Sequence, residues 1–446
     1  MRLPIIFFTL LSSLFASTSH AWSVLENWGA GPSHTGRAQI PTAVDATLDD
    51  TYAQPGQLGH LKNLQLNFGF LLEAPLMEFQ SLQGDDKSDQ WLAPESDGGL
   101  VLSVSVPLGG ILKKRLVFGT HVYLPARRLL AITGFEPSEA FLYRYAYGHR
   151  VHNATIFGAE ITSWFSLGAG FRFSTRATTD MTLNVDPFDS ELDYQRISID
   201  VTPVLAPVVG AHFGAFDIGI GKLGFSTAFH EKMVDSIDVI SRNNLNGILA
   251  SVNVLLDVLS NFGPRRASGV LSFKTNSNFL LTSSFEWEEW SDVVDPSAIV
   301  AMDLGGDDLE QLGLQDGLDI PGEGKSRNGD LGFVDTFNWG FGFETPLWND
   351  GWAFKGGWKY RPTPVPDQIG LTNMIDNNTH IGALGITWHL QDPMSWSEAP
   401  MDINFAWQGH FFETRKTEKK YADDPVGNWQ SKGSIHCVRL DLTYKF

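Results

Sequence analysis

The final ten residues of the chain, CVRLDLTYKF (437–446), keep a strict two-residue period to the very end. Val438, Leu440, Leu442, Tyr444 and Phe446 share one parity; Cys437, Arg439, Asp441, Thr443 and Lys445 share the other. That period makes a strand with one apolar and one polar face. Chain termini ordinarily fray, so a strand amphipathic to its end calls for an apolar medium along its whole length. The alternation recurs upstream. FNWGFGFE sets Phe337, Trp339, Phe341 and Phe343 against Asn338, Gly340, Gly342 and Glu344, and WAFKGGWKY sets Trp352, Phe354, Trp358 and Tyr360 against Ala353, Lys355, Gly357 and Lys359. FSLGAGFRF, FLLTSSFEW and MDINFAWQGHF repeat it.

Aromatics cluster at the strand ends, and the opposing faces carry Lys, Asp, Gln, His, Asn and Gly. Strands that are apolar outside, polar inside and girdled by aromatics belong to a transmembrane β-barrel. A large soluble β-sandwich also alternates, but its core lies between two sheets and does not call for 14 Trp and 31 Phe. Past residue 21 no apolar run is long enough for a spanning helix, because Asn253, Asp257 and Asn261 interrupt the best one, 248–262. Only helices and closed barrels satisfy their backbone in hydrocarbon.

The fold class expected is therefore all-β, a transmembrane antiparallel barrel of about 14 strands. Strands are expected near 62–73, 98–107, 113–125, 150–161, 164–183, 194–214, 218–232, 250–274, 278–290, 332–346, 351–361, 379–390, 400–413 and 434–446. The segment 250–274 counts as one strand kinked at Gly263-Pro264. Short turns alternate with the long polar stretches 74–97, 126–149, 233–249, 291–331, 362–378 and 414–433, as periplasmic turns alternate with extracellular loops. An even strand count returns the last strand to the periplasmic side, with Phe446 at the inner interface, where it would engage the outer-membrane assembly machinery.

At the other end, Arg2 precedes the apolar run Leu3 to Phe15, and Ser19 and Ala21 are small residues at signal-peptidase positions. Residues 1–21 read as a signal peptide cleaved before Trp22. Residues 22–60 do not alternate, yet Trp22, Leu25, Trp28, Ile40, Val44, Leu48 and Tyr52 are too apolar for a solvated tail. They read as a hatch inside the lumen, with the barrel at 61–446. The net charge of −19 argues against nucleic acid as a partner, and the single Cys437 excludes an internal disulfide or a Cys-based metal site.

Several pieces in this order resemble the FadL/TodX-type outer-membrane transporters of long-chain fatty acids and aromatic hydrocarbons. They are Gly36-Arg37-Ala38 and Asp49-Asp50 leading to Pro55 and Leu58, then WFSLGAGFRF (164–173), FEWEEWSD (285–292) and DTFNWGFGFE (335–344). KGGWKYRPTPVPD (355–367) and the closing strand complete the set. The resemblance implies a fourteen-stranded barrel, plugged by an N-terminal hatch that carries Arg37, Asp49, Asp50 and Pro55, and passive uptake of a hydrophobic small molecule. The chain departs from the family's pattern at Gln54-Pro55-Gly56 and at Phe262-Gly263-Pro264-Arg265.

Two sets of side chains are candidates for substrate contact. The loop 126–148 carries Leu129, Leu130, Ile132, Phe135, Phe141, Leu142 and Tyr145, either packed on the barrel rim or forming a capture groove. Arg172, Lys355, Lys359 and Arg439, with Arg37, either hold a carboxylate head group or pair with Glu286, Glu344, Asp402 and Asp441. Gly119 marks a bulge or is ordinary. The acidic loop 303–323 does not fit an EF-hand spacing. Ser33-His34 is no nucleophile elbow, and H-E-x-x-H is absent. The expectation is a non-enzymatic outer-membrane channel without cofactor or metal, a monomer among lipid and lipopolysaccharide. A structural or adhesive barrel and a lipid hydrolase are the alternatives.

Overall fold

The computed structural model describes residues 24–82, 91–92, 94–109, 116–127, 140–145, 151–185, 192–245, 250–293, 299–305, 331–348, 351–370, 372–391, 399–420, 424 and 426–446. The signal peptide expected at 1–21, the loop residues Leu129, Leu130, Ile132 and Phe135, and positions 306–323 of the acidic loop lie outside the described residues.

Fourteen strands form a closed barrel. The first seven are β1 (Gln65–Ser81), β2 (Asp97–Pro107), β3 (Leu116–Pro125), β4 (His152–Thr162), β5 (Phe165–Val185), β6 (Leu192–Asp217) and β7 (Gly221–His230 continued by Met233–Leu245). β8 (Ala250–Gly263 and Arg265–Thr275) breaks at Pro264, where a missing N–H interrupts the ladder, at the expected kink. β9 (Leu280–Glu289 with Ile299–Gly305), β10 (Thr336–Glu344), β11 (Trp352–Arg361), β12 (Thr379–Leu390), β13 (Met401–Thr417) and β14 (Trp429–Lys445) complete the wall. The first strand closes on the last in unbroken antiparallel register, from Gln65 opposite Lys445 to Ser81 opposite Trp429.

The parity read from the C-terminus holds. Leu440 is 53% exposed to the outside while its neighbour Arg439 is 0% exposed in the lumen. Phe337, Trp339, Phe341 and Phe343 likewise face outward, with Asn338 buried inside. The exposed apolar band is the lipid-facing surface of the barrel.

Several strands run further than expected. β1 continues through 74–81, β13 reaches Thr417, β14 starts at Trp429, and the expected loops 233–249 and 291–331 contain Met233–Leu245 and Ile299–Gly305. These extensions lie at the ends toward the long loops, beyond the stretch that alternates. Hydrogen bonding to a neighbouring strand can continue there, but no lipid demands an apolar side every second residue. In this upper region β5 residues 177–185 lie in parallel register against β7 residues 237–245.

Inside the barrel sits the hatch. Its helices Val24–Trp28 and Pro32–Gly36 and its 3-10 turns Asp49–Thr51 and Pro55–His60 are almost wholly buried. The lumen-facing glycines explain how it fits. A Cβ on Gly224 would lie 1.6 Å from the Ala43 carbonyl oxygen, one on Gly168 2.1 Å from that of Pro55, and one on Gly357 2.3 Å from that of Arg37. Hatch backbone thus rests directly on wall backbone, which any side chain there would forbid. Gly119 plays a similar part, facing Leu58 of the hatch. The register through it is unshifted on both sides, so it marks no bulge.

Candidate functional site

The lumen is filled from two directions. From the periplasmic half comes the hatch. From the extracellular half comes a lid of inserted loop segments, in which Trp91–Leu92, Ala140–Leu142 and Met374–Ile375 make a small parallel sheet. The turn Tyr143–Tyr145 follows directly and is buried.

Of the apolar loop residues named from sequence, the three described ones point inward. Leu142 and Tyr145 pack in one cluster with hatch residues Val24, Leu25 and Trp28 and wall residues Tyr123, Phe412 and Trp429. Phe141 joins a second cluster, with Tyr143, Phe262, Trp290, Phe333 and Met374. Tyr143 stands edge-on to Trp290 and Phe333, with ring centroids 6.1 and 5.1 Å away. The lumen thus holds two apolar clusters, one joining lid to hatch and one rich in aromatics.

The basic residues named from sequence line the lumen, and each has a partner. Arg37 on the hatch donates to Asp50 at 2.9 Å and to Glu344 on the wall at 2.8 Å. Arg172 on β5 pairs with Glu26 of the hatch. Lys359 meets Glu286 at 3.0 Å, and Lys355 donates to the Ser33 hydroxyl at 2.5 Å, with Glu344 3.8 Å away. Arg439 is held by Asp441 at 2.7 Å and donates to the Gly29 and Ala30 carbonyls at 2.9 and 3.1 Å. Asp49 accepts the Ser33 backbone N–H at 2.8 Å. Pro55 packs against Gly168 and Gly210.

The hatch groups carry the electrostatic signature of burial. Burial, and then the positive charge of Arg37, push the His34 imidazole down to about 3, so it sits neutral with Nε2 against the Gln39 carbonyl oxygen at 2.5 Å. Burial also raises the Asp49 carboxyl above its ordinary value, against the pull of Arg439. In the lid, burial pushes the Tyr145 hydroxyl up to about 12, although Arg361 and Arg144 favour its ionised form. Beneath the hatch, toward the periplasm, a cavity of about 510 Å³ is lined by Asp45, Lys274, Glu344, Lys355, His389, Asp402 and Lys445. Its charges are largely paired, Lys274 to Asp45 and Lys445 to Asp402, each at 2.6 Å.

Sequence spacing missed several residues at the junction of hatch, lid and wall. Arg361 reaches Asn27 of the hatch at 3.3 Å and the Tyr145 hydroxyl of the lid. Arg266 lies 3.6 Å from Glu26 and 3.4 Å from Glu286. Arg144 and Asp376 meet at 3.5 Å from two different inserted loops, both side chains wholly buried. No local pattern marks such pairs, whose members stand over 200 positions apart in the case of Arg144 and Asp376. An arginine inside an otherwise apolar loop run, as in FLYRYAY, is the one available signal.

Fold and lumen together define a plugged, fourteen-stranded transmembrane barrel. No protein-family model matches the chain, and no curated protein sequence matches it. Solved structures do. A FadL homologue of Pseudomonas aeruginosa superposes with TM-score 0.57 over 93% of this chain and 98% of its own, at 14% identity. The toluene transporter TodX of P. putida gives 0.54 over 94% and 99%, at 10% identity. The toluene transporter TbuX of Ralstonia pickettii gives 0.53 over 95% and 100%, at 12% identity. The fold is that of the FadL- and TodX-type barrels.

Proposed function

We propose that this protein lets hydrophobic small molecules cross the bacterial outer membrane, entering from outside beneath the lid. The observation that carries this reading is the aromatic cluster of Phe141, Tyr143, Phe262, Trp290 and Phe333, set inside a lumen rather than on the lipid face. A barrel that served only as a wall or an adhesin has no need of an aromatic cluster there. Burying an aromatic ring among such side chains is worth about 1.5–3 kcal/mol, enough to draw an apolar solute out of water. The fold shared with a FadL homologue and with toluene transporters supports the same reading.

On this reading the apolar loop 126–148 is the region of first contact, and its residues Phe141, Leu142 and Tyr145 reach into the lumen. Arg37, Arg172, Lys355, Lys359 and Arg439 act as ties that hold the hatch and wall together, rather than as a carboxylate cradle. Phe446, 52% exposed and stacked on Tyr444, faces outward where the assembly machinery would meet it. The leader 1–21 carries the chain through the inner membrane and is removed. The function has no chemical step.

The test is uptake of radiolabelled toluene and decanoate by cells with and without the protein. Accumulation of either one, reduced severalfold by Phe141→Ser with Phe333→Ser, is expected. Identical accumulation with and without the protein overturns the proposal and leaves the structural barrel in its place.

A further inference from the structure

The aromatic cluster has a polar end, and its chemistry is unusual for a barrel that handles hydrocarbons. Arg144 spans the two. Its guanidinium carbon stands 5.3 Å over the Trp290 ring, inside cation–π range, and its Nε is 3.5 Å from Asp376 Oδ2. Asp376 is 0% exposed, two residues beyond Met374 of the cluster. Neither of its carboxylate oxygens receives a hydrogen bond within the described structure. A buried carboxylate has about four lone-pair sites to satisfy and is costly when they are left open. Nearby Arg361 likewise has its Nε without an acceptor.

The local charge is already balanced. Arg144 and Arg361 stand against Asp376 and Glu288, and Glu288 is occupied by the Trp290 indole N–H at 2.9 Å and the Thr336 hydroxyl at 3.2 Å. A second carboxylate brought in on a fatty acid would face Asp376 directly. A cation would upset the balance in the other direction. What the open oxygens lack is a neutral hydrogen-bond donor. We propose that Asp376 is a specificity-determining residue, and that it accepts a hydrogen bond from the hydroxyl of an uncharged, otherwise apolar substrate of the phenol or alcohol class, whose ring or chain lies among Phe141, Tyr143, Trp290 and Met374.

This inference rests on the transport reading of the same cluster and narrows its substrate. Met374 is the side chain best suited to yield space, because its unbranched thioether adapts to irregular gaps. The occupant approaches Asp376 through its O–H, while the Arg144 guanidinium continues to neutralise the carboxylate. The corresponding methyl ether, one carbon larger, offers no donor and leaves the oxygens as they are.

The experiment is a calorimetric titration of the full-length, detergent-folded protein with toluene, 4-methylphenol, 4-methylanisole and decanoate at pH 7, where the phenol is neutral. A hydrogen bond to a charged acceptor predicts 4-methylphenol binding about tenfold or more tighter than 4-methylanisole. The paired substitution Asp376→Leu with Arg144→Met removes both charges and should abolish that preference, so that the phenol and its ether bind alike. If that variant does not fold, Asp376→Asn should reduce the preference severalfold. Equal binding of the phenol and its ether to the native protein, or tightest binding by decanoate, overturns this inference and leaves the transport reading standing. Binding of none of the four overturns both.

Discussion

Arg37 of the hatch and Glu344 of β10 meet at 2.8 Å, though 307 positions separate them. The same guanidinium grips Asp50 at 2.9 Å, so one side chain joins two turns of the hatch to the wall. Asp50 and Glu344 hold it charged, with its pKa above the ordinary value against the cost of burial.

Removing that guanidinium strands Asp50, which is 0% exposed. Breaking a buried pair from one side costs about 3–5 kcal/mol. Arg37→Met should therefore loosen the hatch without unfolding the barrel. Planar-bilayer conductance should rise severalfold, while the unboiled protein keeps the faster gel mobility of a folded barrel. Unchanged conductance would mean that the hatch is held elsewhere.

The glycine contacts make a separate prediction. A valine at Gly224 or Gly357 has nowhere to put its Cβ, since the Ala43 and Arg37 carbonyl oxygens occupy the space. The wall strand itself tolerates valine well. Gly224→Val should thus displace hatch from wall while leaving barrel assembly intact, seen as faster protease cleavage within residues 24–60. Valine at Gly109, where nothing lies within 4 Å, is the control and should leave cleavage unchanged.

Acid should release the hatch as well. His34 is depressed to about 3 by burial and by Arg37, Lys359 and Arg266, against 6.5 when free. Between those values the released hatch binds the proton and the docked one does not. Docking is therefore favoured fully above about pH 6.5 and weakens as pH falls toward 3. At pH 5 the loss is about 2 kcal/mol. Conductance should climb on acidification from pH 7 to 5, and His34→Asn should flatten that rise. An identical pH profile in the variant would exclude His34 as the sensor.

The closing strand supplies the last prediction. The Phe446 backbone N–H donates to the Leu64 carbonyl at 2.8 Å, one position beyond the register that seals β14 to β1. Deleting Phe446 removes both that bond and the exposed ring. Surface levels of the folded barrel should fall severalfold, measured by heat-modifiable mobility in outer-membrane fractions.

Much of the wall was legible in sequence because a spanning strand meets two media at once. Phe337 and Asn338 differ in polarity for that reason alone, and the period is a property of neighbouring residues. The kink at Gly263-Pro264 was legible too, since proline withdraws a donor wherever it falls. The strand ends were not. Around 233–245 the ladder continues where the two-media constraint lapses, and no pattern remains to read.

What fills the lumen was decided by the tertiary structure. Loop 126–148 was visibly apolar, but nothing local distinguishes a rim contact from insertion. Only barrel closure brings Tyr143 against Trp290 and Arg144 against Asp376. The partners of Lys359 and Arg439 were among the acids named from strand parity, whereas Arg172 pairs with Glu26 of the hatch. Strand parity says which way a side chain points. What it meets there depends on the backbone that the closed wall encloses, and on the low dielectric of that interior, which makes an unpaired charge too costly to leave alone.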